Sequence, residues 1–285
     1  MTSSKAKVLV IHGLAAKPAK WRLHGHVNYC LPSLRSDQIE LLYWADLAGY
    51  KPRDWANPLH HRKPTGFCRF IRKIRGFLRQ ATRFSVEHAI AIALGLDPIK
   101  VCGGQCIVPT HWLARPLERN ARTLFGQHLA EMAQYFCRGS ELRHKIANRI
   151  YMESLYGRSF DLVIGHSMGS IILIDMLQSG CLGPVKNLVT IGSPLGLGVV
   201  RHALAEYYPA FEPLNTRYTG EWLNVSDPLD FVSLDATLDG EYPGCKVRDV
   251  YIENDALTPE GNSHPHSLYG YLRSDPVQDI LRRSL

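Results

Sequence analysis

The stretch that most constrains this chain is Leu162-Val163-Ile164-Gly165-His166-Ser167-Met168-Gly169-Ser170-Ile171-Ile172-Leu173-Ile174. An apolar run ends at a glycine, a serine stands between two glycines, and a second apolar run follows. This is the G-x-S-x-G layout of a nucleophile elbow, in which a strand turns sharply into a helix. The serine takes a strained backbone conformation at the tip of the turn, and side chains two residues to either side would collide with the strand and helix it joins. The turn aims the hydroxyl outward, and the helix that starts there points backbone N–H groups at a developing oxyanion. The pentapeptide alone recurs by chance; the strand before it and the helix after it give it weight.

The rest of the chain alternates in the same way. Residues 7–11, 38–44, 185–191, 222–226 and 247–252 read as strands. Residues 21–34, 112–136, 140–156 and 267–285, the last with a break near Pro276, read as helices from their apolar spacing. Strands alternating with helices predict an α/β fold, its sheet mostly parallel and covered on both faces. A length of 285 residues fits a single domain over 1–285. Residues 47–138 form a connection far longer than an ordinary α/β crossover and are expected to be an inserted helical cap over the site.

Charge is concentrated in that insertion. Arg69, Arg72, Lys73, Arg75, Arg79 and Arg83 occur with no acidic residue among them, interleaved at helical spacing with Phe70, Ile71, Ile74, Phe77, Leu78, Ala81 and Phe84. The pattern predicts a basic amphipathic helix over 69–83, either a solvated surface helix or one that attracts an anionic membrane surface or an acidic substrate. The net charge of +7 comes with no recognition motif for nucleic acid, so no nucleic-acid partner is expected. Seven scattered cysteines without a CxxC pair argue against a disulfide framework or a zinc site and for a reducing, cytoplasmic setting. No signal peptide and no bilayer-length apolar run is evident, which leaves peripheral contact as the expected membrane role.

A serine hydroxyl is a poor nucleophile until a base takes its proton, and the base needs a partner that fixes its tautomer. In a sheet of this kind the chain order is Ser, then Asp or Glu, then His, each after a strand. The sequence supplies Ser167, then Asp227 or Asp230, then His264 or His266. The first strand ends in His12-Gly13, the place for a loop whose N–H, from Leu14 or Ala15, joins that of Met168 in an oxyanion hole. His12 and His166 read as structural or pocket-lining, and Ser193 as a turn group.

Together Gly165-His166-Ser167-Met168-Gly169, His12-Gly13, the Gly192-Ser193-Pro194 turn and the run Asp227-Pro228-Leu229-Asp230-Phe231-Val232 resemble the α/β-hydrolase superfamily, and most of all its lipase- and esterase-like serine hydrolases. The resemblance covers residues 7–46 and about 155–270 and leaves 47–138 unmatched. It implies the α/β-hydrolase fold, a Ser-Asp-His triad, no cofactor, and ester hydrolysis through an acyl-enzyme; the basic, aromatic-rich insertion points to a small-molecule or lipid ester as substrate, which fold analogy cannot name. The resemblance also favours Asp230, ahead of Phe231-Val232, over Asp227 as the acid. As the base it favours His266, which leads into a helix start at Ser267, over His264, which Pro265 holds extended. Acyl transfer to another acceptor, thioester or amide cleavage by the same triad, and a catalytically silent binding module at membrane surfaces are the other functions it allows.

Overall fold

A computed structural model describes residues 7–53, 132, 134–137, 139–208, 214–233 and 236–285. Most of the 47–138 insertion, with the basic helix expected over 69–83 and nearly all of the helix expected over 112–136, lies outside the described residues. Six strands form one sheet: β1 (Val8–Ile11), β2 (Ile39–Leu42), β3 (Leu162–His166), β4 (Asn187–Ile191), β5 (Trp222–Ser226) and β6 (Val247–Tyr251). Their order is β2-β1-β3-β4-β5-β6, and every neighbouring pair is parallel. The helices are α1 (Lys20–Cys30), α2 (Glu141–Met152), α3 (Met168–Gln178), α4 (Gly198–Tyr207), α5 (Leu268–Arg273) and α6 (Asp275–Ser284).

Parallel strands buried on both faces need apolar residues in both directions of the pleat, and these have them. Val8 and Val10 of β1, Ile164 of β3, Val189 of β4 and Leu223 of β5 turn to one face, where Leu23 and Val27 of α1 and Ile280 and Leu281 of α6 cover them. Leu9, Val163, Leu188 and Trp222 turn to the other, against Leu142, Ile146 and Ile150 of α2, most of α3 and Val199 and Val200 of α4. Helices therefore lie on both faces, as the alternation predicts. The break expected near Pro276 falls at Ser274, and Pro276 sits in the first turn of α6, where a missing N–H leaves no bond unmade. Helix α4 was not anticipated; its two buried valines follow a glycine- and proline-rich turn that obscures its start.

The order of the strands decides where a site can form. From β1 the chain passes to β2 on one side, and β3 enters on the other side of β1. The ends of β1 and β3 therefore border a topological switch point, the crevice in which open parallel sheets bind ligands. Among the described residues no helix is long and apolar enough to cross a membrane.

Helix α3 is buried along its whole length, including Asp175. That carboxylate accepts from Tyr135 Oη at 2.5 Å, from Arg143 Nε at 2.8 Å and Nη2 at 2.6 Å, and from the Tyr208 hydroxyl. The Arg143 guanidinium lies 3.9 Å from the centre of the Tyr207 ring. One acidic side chain thus ties α3 to α2 and to the end of α4. Removing one partner of such a pair leaves the other buried and uncompensated, so Asp175→Ala is expected to lower unfolding free energy by about 3 kcal/mol, read as a lower urea midpoint at unchanged slope.

Candidate active site

Ser167 stands between the last residue of β3 and the first of α3 with φ 55° and ψ −127°. A side chain at positive φ is held there only when its surroundings demand it. Here the demand is close packing: a Cβ on Gly169 would lie 2.2 Å from the Ile11 carbonyl oxygen, and one on Gly165 would lie 2.7 Å from Ser170 Cα. Gly169 lets the helix close against the end of β1, and Gly165 lets β3 meet the first turn of that helix. Ser170 completes it, donating through Oγ to the Ser167 carbonyl at 2.5 Å while its Oγ lies 2.6 Å from Ser193 Oγ. Ser193 in turn accepts from Leu195 N–H, so it is a turn group whose hydroxyl also buttresses the elbow.

The loop after β1 comes up against this serine. A Cβ on Gly13 would sit 2.6 Å from Ser167 Cβ. His12, wholly buried, donates from Nδ1 to the Gly13 carbonyl at 2.7 Å and accepts at Nε2 from the Trp44 N–H at 3.0 Å. Its ring also stacks on Trp44. Burial, helped by the nearby Lys17 charge, holds its pKa down to about 3, so it is a neutral spacer between β1 and β2. Among the described residues no acceptor takes the N–H of Leu14, Ala15 or Met168. The first N–H groups of a helix have no partner within it, which accounts for Met168.

The carboxylate and imidazole meet beyond β5 and β6. His266 donates from Nδ1 to Asp230 Oδ2 at 2.8 Å; the aspartate side chain is fully buried and the imidazole 27% exposed. Asp230 also accepts from Tyr271 Oη at 2.7 Å and from Val232 N–H at 2.9 Å. Burial pushes its pKa up, but the charge of His266 and these three donors outweigh it and leave the carboxyl below its ordinary value. Asp227 is equally buried and otherwise engaged: Oδ1 accepts from Leu229 N–H and Oδ2 from Asn254 N–H, both at 2.7 Å. Asn254 passes this on by donating to the Ser267 carbonyl at 2.9 Å, so Asp227 fastens the loop that carries His266. The His264 backbone N–H donates to the Ala256 carbonyl and its carbonyl accepts from Ser267 N–H.

The two halves adjoin through their neighbours. Ser167 N–H donates to the Ile191 carbonyl at 3.0 Å. The next residue, Gly192, has φ 52°, and a Cβ on it would lie 2.8 Å from Asp230 Oδ2 and 3.1 Å from His266 Nδ1. His166, which precedes Ser167, donates from Nε2 to the His266 carbonyl at 3.1 Å, with the two rings 4.7 Å apart. Among the described residues no hydrogen bond joins Ser167 Oγ to His266, whose Nδ1 is engaged by Asp230. Among the described residues no group of three or more His, Cys, Asp or Glu side chains is placed to hold a metal ion.

Sequence reasoning missed Tyr271, which donates to Asp230 and accepts from Asp227 N–H at 2.9 Å. A tyrosine in a short apolar helix reads as core, and nothing local marks its hydroxyl. It also missed the hydroxyl of Ser170 and the side chain of Lys17, which donates to the carbonyls of Leu14 and Ala15.

The neutral histidines give the molecule an acid limit. His12 is held at about 3 and His264, again chiefly by burial, at about 4, against an ordinary 6.5. The unfolded chain therefore binds protons below pH 6.5 that the folded chain refuses, so stability is full above that value and is lost as pH falls towards 4. Each histidine removes at most about 1.4 kcal/mol per pH unit. Melting temperature measured from pH 8 to pH 4.5 should fall on the acid side, and less steeply in His264→Gln. Compared with protein-family models, with curated proteins and with solved structures, the chain matches none.

Proposed function

We propose that the chain is a serine hydrolase of the α/β-hydrolase type that cleaves carboxylic esters through an acyl-enzyme on Ser167. The observation that carries the reading is the strained backbone of Ser167 at φ 55°, at a strand end where the hydrogen-bonded His266–Asp230 pair stands beside the adjoining Gly192. A structural serine has no need of positive φ, and a buried carboxylate aimed at an imidazole nitrogen is the arrangement that fixes a base in one tautomer.

In this reading Ser167 Oγ attacks the ester carbonyl carbon as its proton passes to His266 Nε2. The N–H of Met168, with that of Leu14 or Ala15, receives the negative charge on the carbonyl oxygen. Collapse breaks the carbon–oxygen bond, and the alcohol leaves with the proton from His266. Water, deprotonated by the same imidazole, then attacks the acyl carbon and restores the serine. Asp230 holds His266 with Nδ1 protonated and stabilises the imidazolium. Nε2 is thereby free to face the serine, which is why the Nδ1 contact carries the assignment.

Transfer to an acceptor other than water, or cleavage of a thioester or amide, would use the same residues; product analysis with competing alcohols separates them. In all of these Ser167 is acylated. The wild-type protein is therefore expected to bind a fluorophosphonate probe covalently and to hydrolyse p-nitrophenyl esters, and Ser167→Ala to do neither. Asp230→Asn should lower kcat by about 10³–10⁴-fold, as loss of the orienting carboxylate does in triads of this type. Asp227→Asn, which keeps one acceptor oxygen, should act mainly on melting temperature. An unreactive wild-type protein overturns the reading and leaves a binding role for the fold.

A further inference from the structure

The N–H groups that line an oxyanion hole must be aimed before the substrate arrives, and something has to aim them. In a trans peptide the carbonyl and the N–H of one plane point in opposite directions, so a group that holds the carbonyl fixes the N–H. Two such groups lie behind the loop after β1. His12 Nδ1 holds the Gly13 carbonyl, which sets the Leu14 N–H, and Lys17 Nζ holds the Leu14 carbonyl, which sets the Ala15 N–H. Lys17 also reaches the Ala15 carbonyl at 3.4 Å. Ala15 itself has φ 72°, a conformation an alanine keeps only under constraint. The lysine backbone is tied down separately, its carbonyl accepting from Arg53 N–H at 2.9 Å.

We propose that Lys17 is a positioning residue for the oxyanion hole: its ammonium clamps the loop after β1 from the carbonyl side, holds Ala15 at positive φ, and so presents the Ala15 N–H, beside that of Leu14, to the oxygen of a substrate bound at Ser167. The proposal rests on the hydrolase reading and assigns the loop donor that the sequence leaves open between Leu14 and Ala15. A fixed cation in this place also favours charge that appears on the substrate oxygen. Its field extends over the site, since it helps hold His12, His166 and His264 in their neutral forms. Cation and backbone dipoles act in the same sense, because the loop carbonyls face the ammonium and their N–H groups face away from it. The benefit belongs to the transition state, where the oxygen is anionic, and hardly to the bound ester, where it is neutral.

The test compares wild type, Lys17→Met, Lys17→Gln and Lys17→Arg as the full chain, by melting temperature, by kcat and KM on a p-nitrophenyl ester, and by inhibition with an alkylboronic acid as tetrahedral mimic. Lys17→Met, which keeps the length of the side chain, is expected to lower kcat by about 10–100-fold, below the 10²–10³ seen when a donor itself is removed. KM should change less than about threefold, and boronate inhibition should weaken in step with kcat. Lys17→Arg should recover most of both. If Lys17→Met does not fold, Lys17→Gln, which keeps a single donating group, carries the same expectation at smaller size. A folded Met or Gln variant with wild-type kcat and boronate affinity overturns the clamp while leaving the hydrolase reading intact. A loss confined to KM, or one that Arg does not recover, overturns it too. Wild-type protein that neither takes the fluorophosphonate nor hydrolyses any ester overturns both.

Discussion

The structure depends on how closely α3 approaches the end of β1. A Cβ on Gly169 would lie 2.2 Å from the Ile11 carbonyl oxygen and 2.7 Å from that of His12, so the first turn of the helix rests on the backbone of the neighbouring strand. This contact leaves the chain no room between β3 and α3 except a turn with Ser167 in the left-handed region. Strain of that kind persists where packing over-determines it, and here the packing is a wholly buried helix bonded at its far end through Asp175. The Ser167 backbone is thereby set by the fold itself, and among the described residues no acceptor takes the N–H groups of Met168, Leu14 and Ala15.

Around this turn the protein sorts its ionisable groups by what each can bond. Asp230 keeps its charge because His266, Tyr271 and Val232 all donate to it, which offsets its burial. His12 and His166 lose theirs, since burial disfavours the imidazolium and the Lys17 charge adds to the effect. His266 pairs with the Asp230 carboxylate and keeps part of its ring in contact with solvent. Two of these imidazoles are thus spacers and donors to backbone carbonyls, while a third is coupled to an acid. That division of labour is what makes the proposed chemistry specific to one histidine in a site that contains four.

Much of this was legible in the order of residues. Short runs rich in apolar residues marked all six strands, and the spacing of Leu142, Ile146 and Ile150 marked α2, because burial in a covered sheet and against it imposes those patterns locally. The glycines at 165 and 169 announced a tight strand-to-helix turn, and at both positions a Cβ would lie within 2.7 Å of backbone atoms. Helix α4 was not legible: a turn of glycine, proline and leucine precedes it, and only two valines and the pair Ala203 and Leu204 face the core. Tyr271 was not legible either, since its partners Asp227 and Asp230 lie more than forty residues away along the chain, at separations of 44 and 41.

By itself the sequence determined that a serine would be held at a strand-to-helix turn, that the sheet would be parallel, and that aspartates and histidines would follow later strands. These are consequences of local sterics and of hydrophobic period, which act over a few residues. It left open, on residues alone, which of Asp227 and Asp230 meets which of His264 and His266. The tertiary structure decided that, placing Asp227 against the Asn254 backbone and Asp230 against His266, residues 27 and 36 positions apart. Two carboxylates three residues apart in one turn point to different partners, and only the fold of both loops over the sheet end determines what each one finds there.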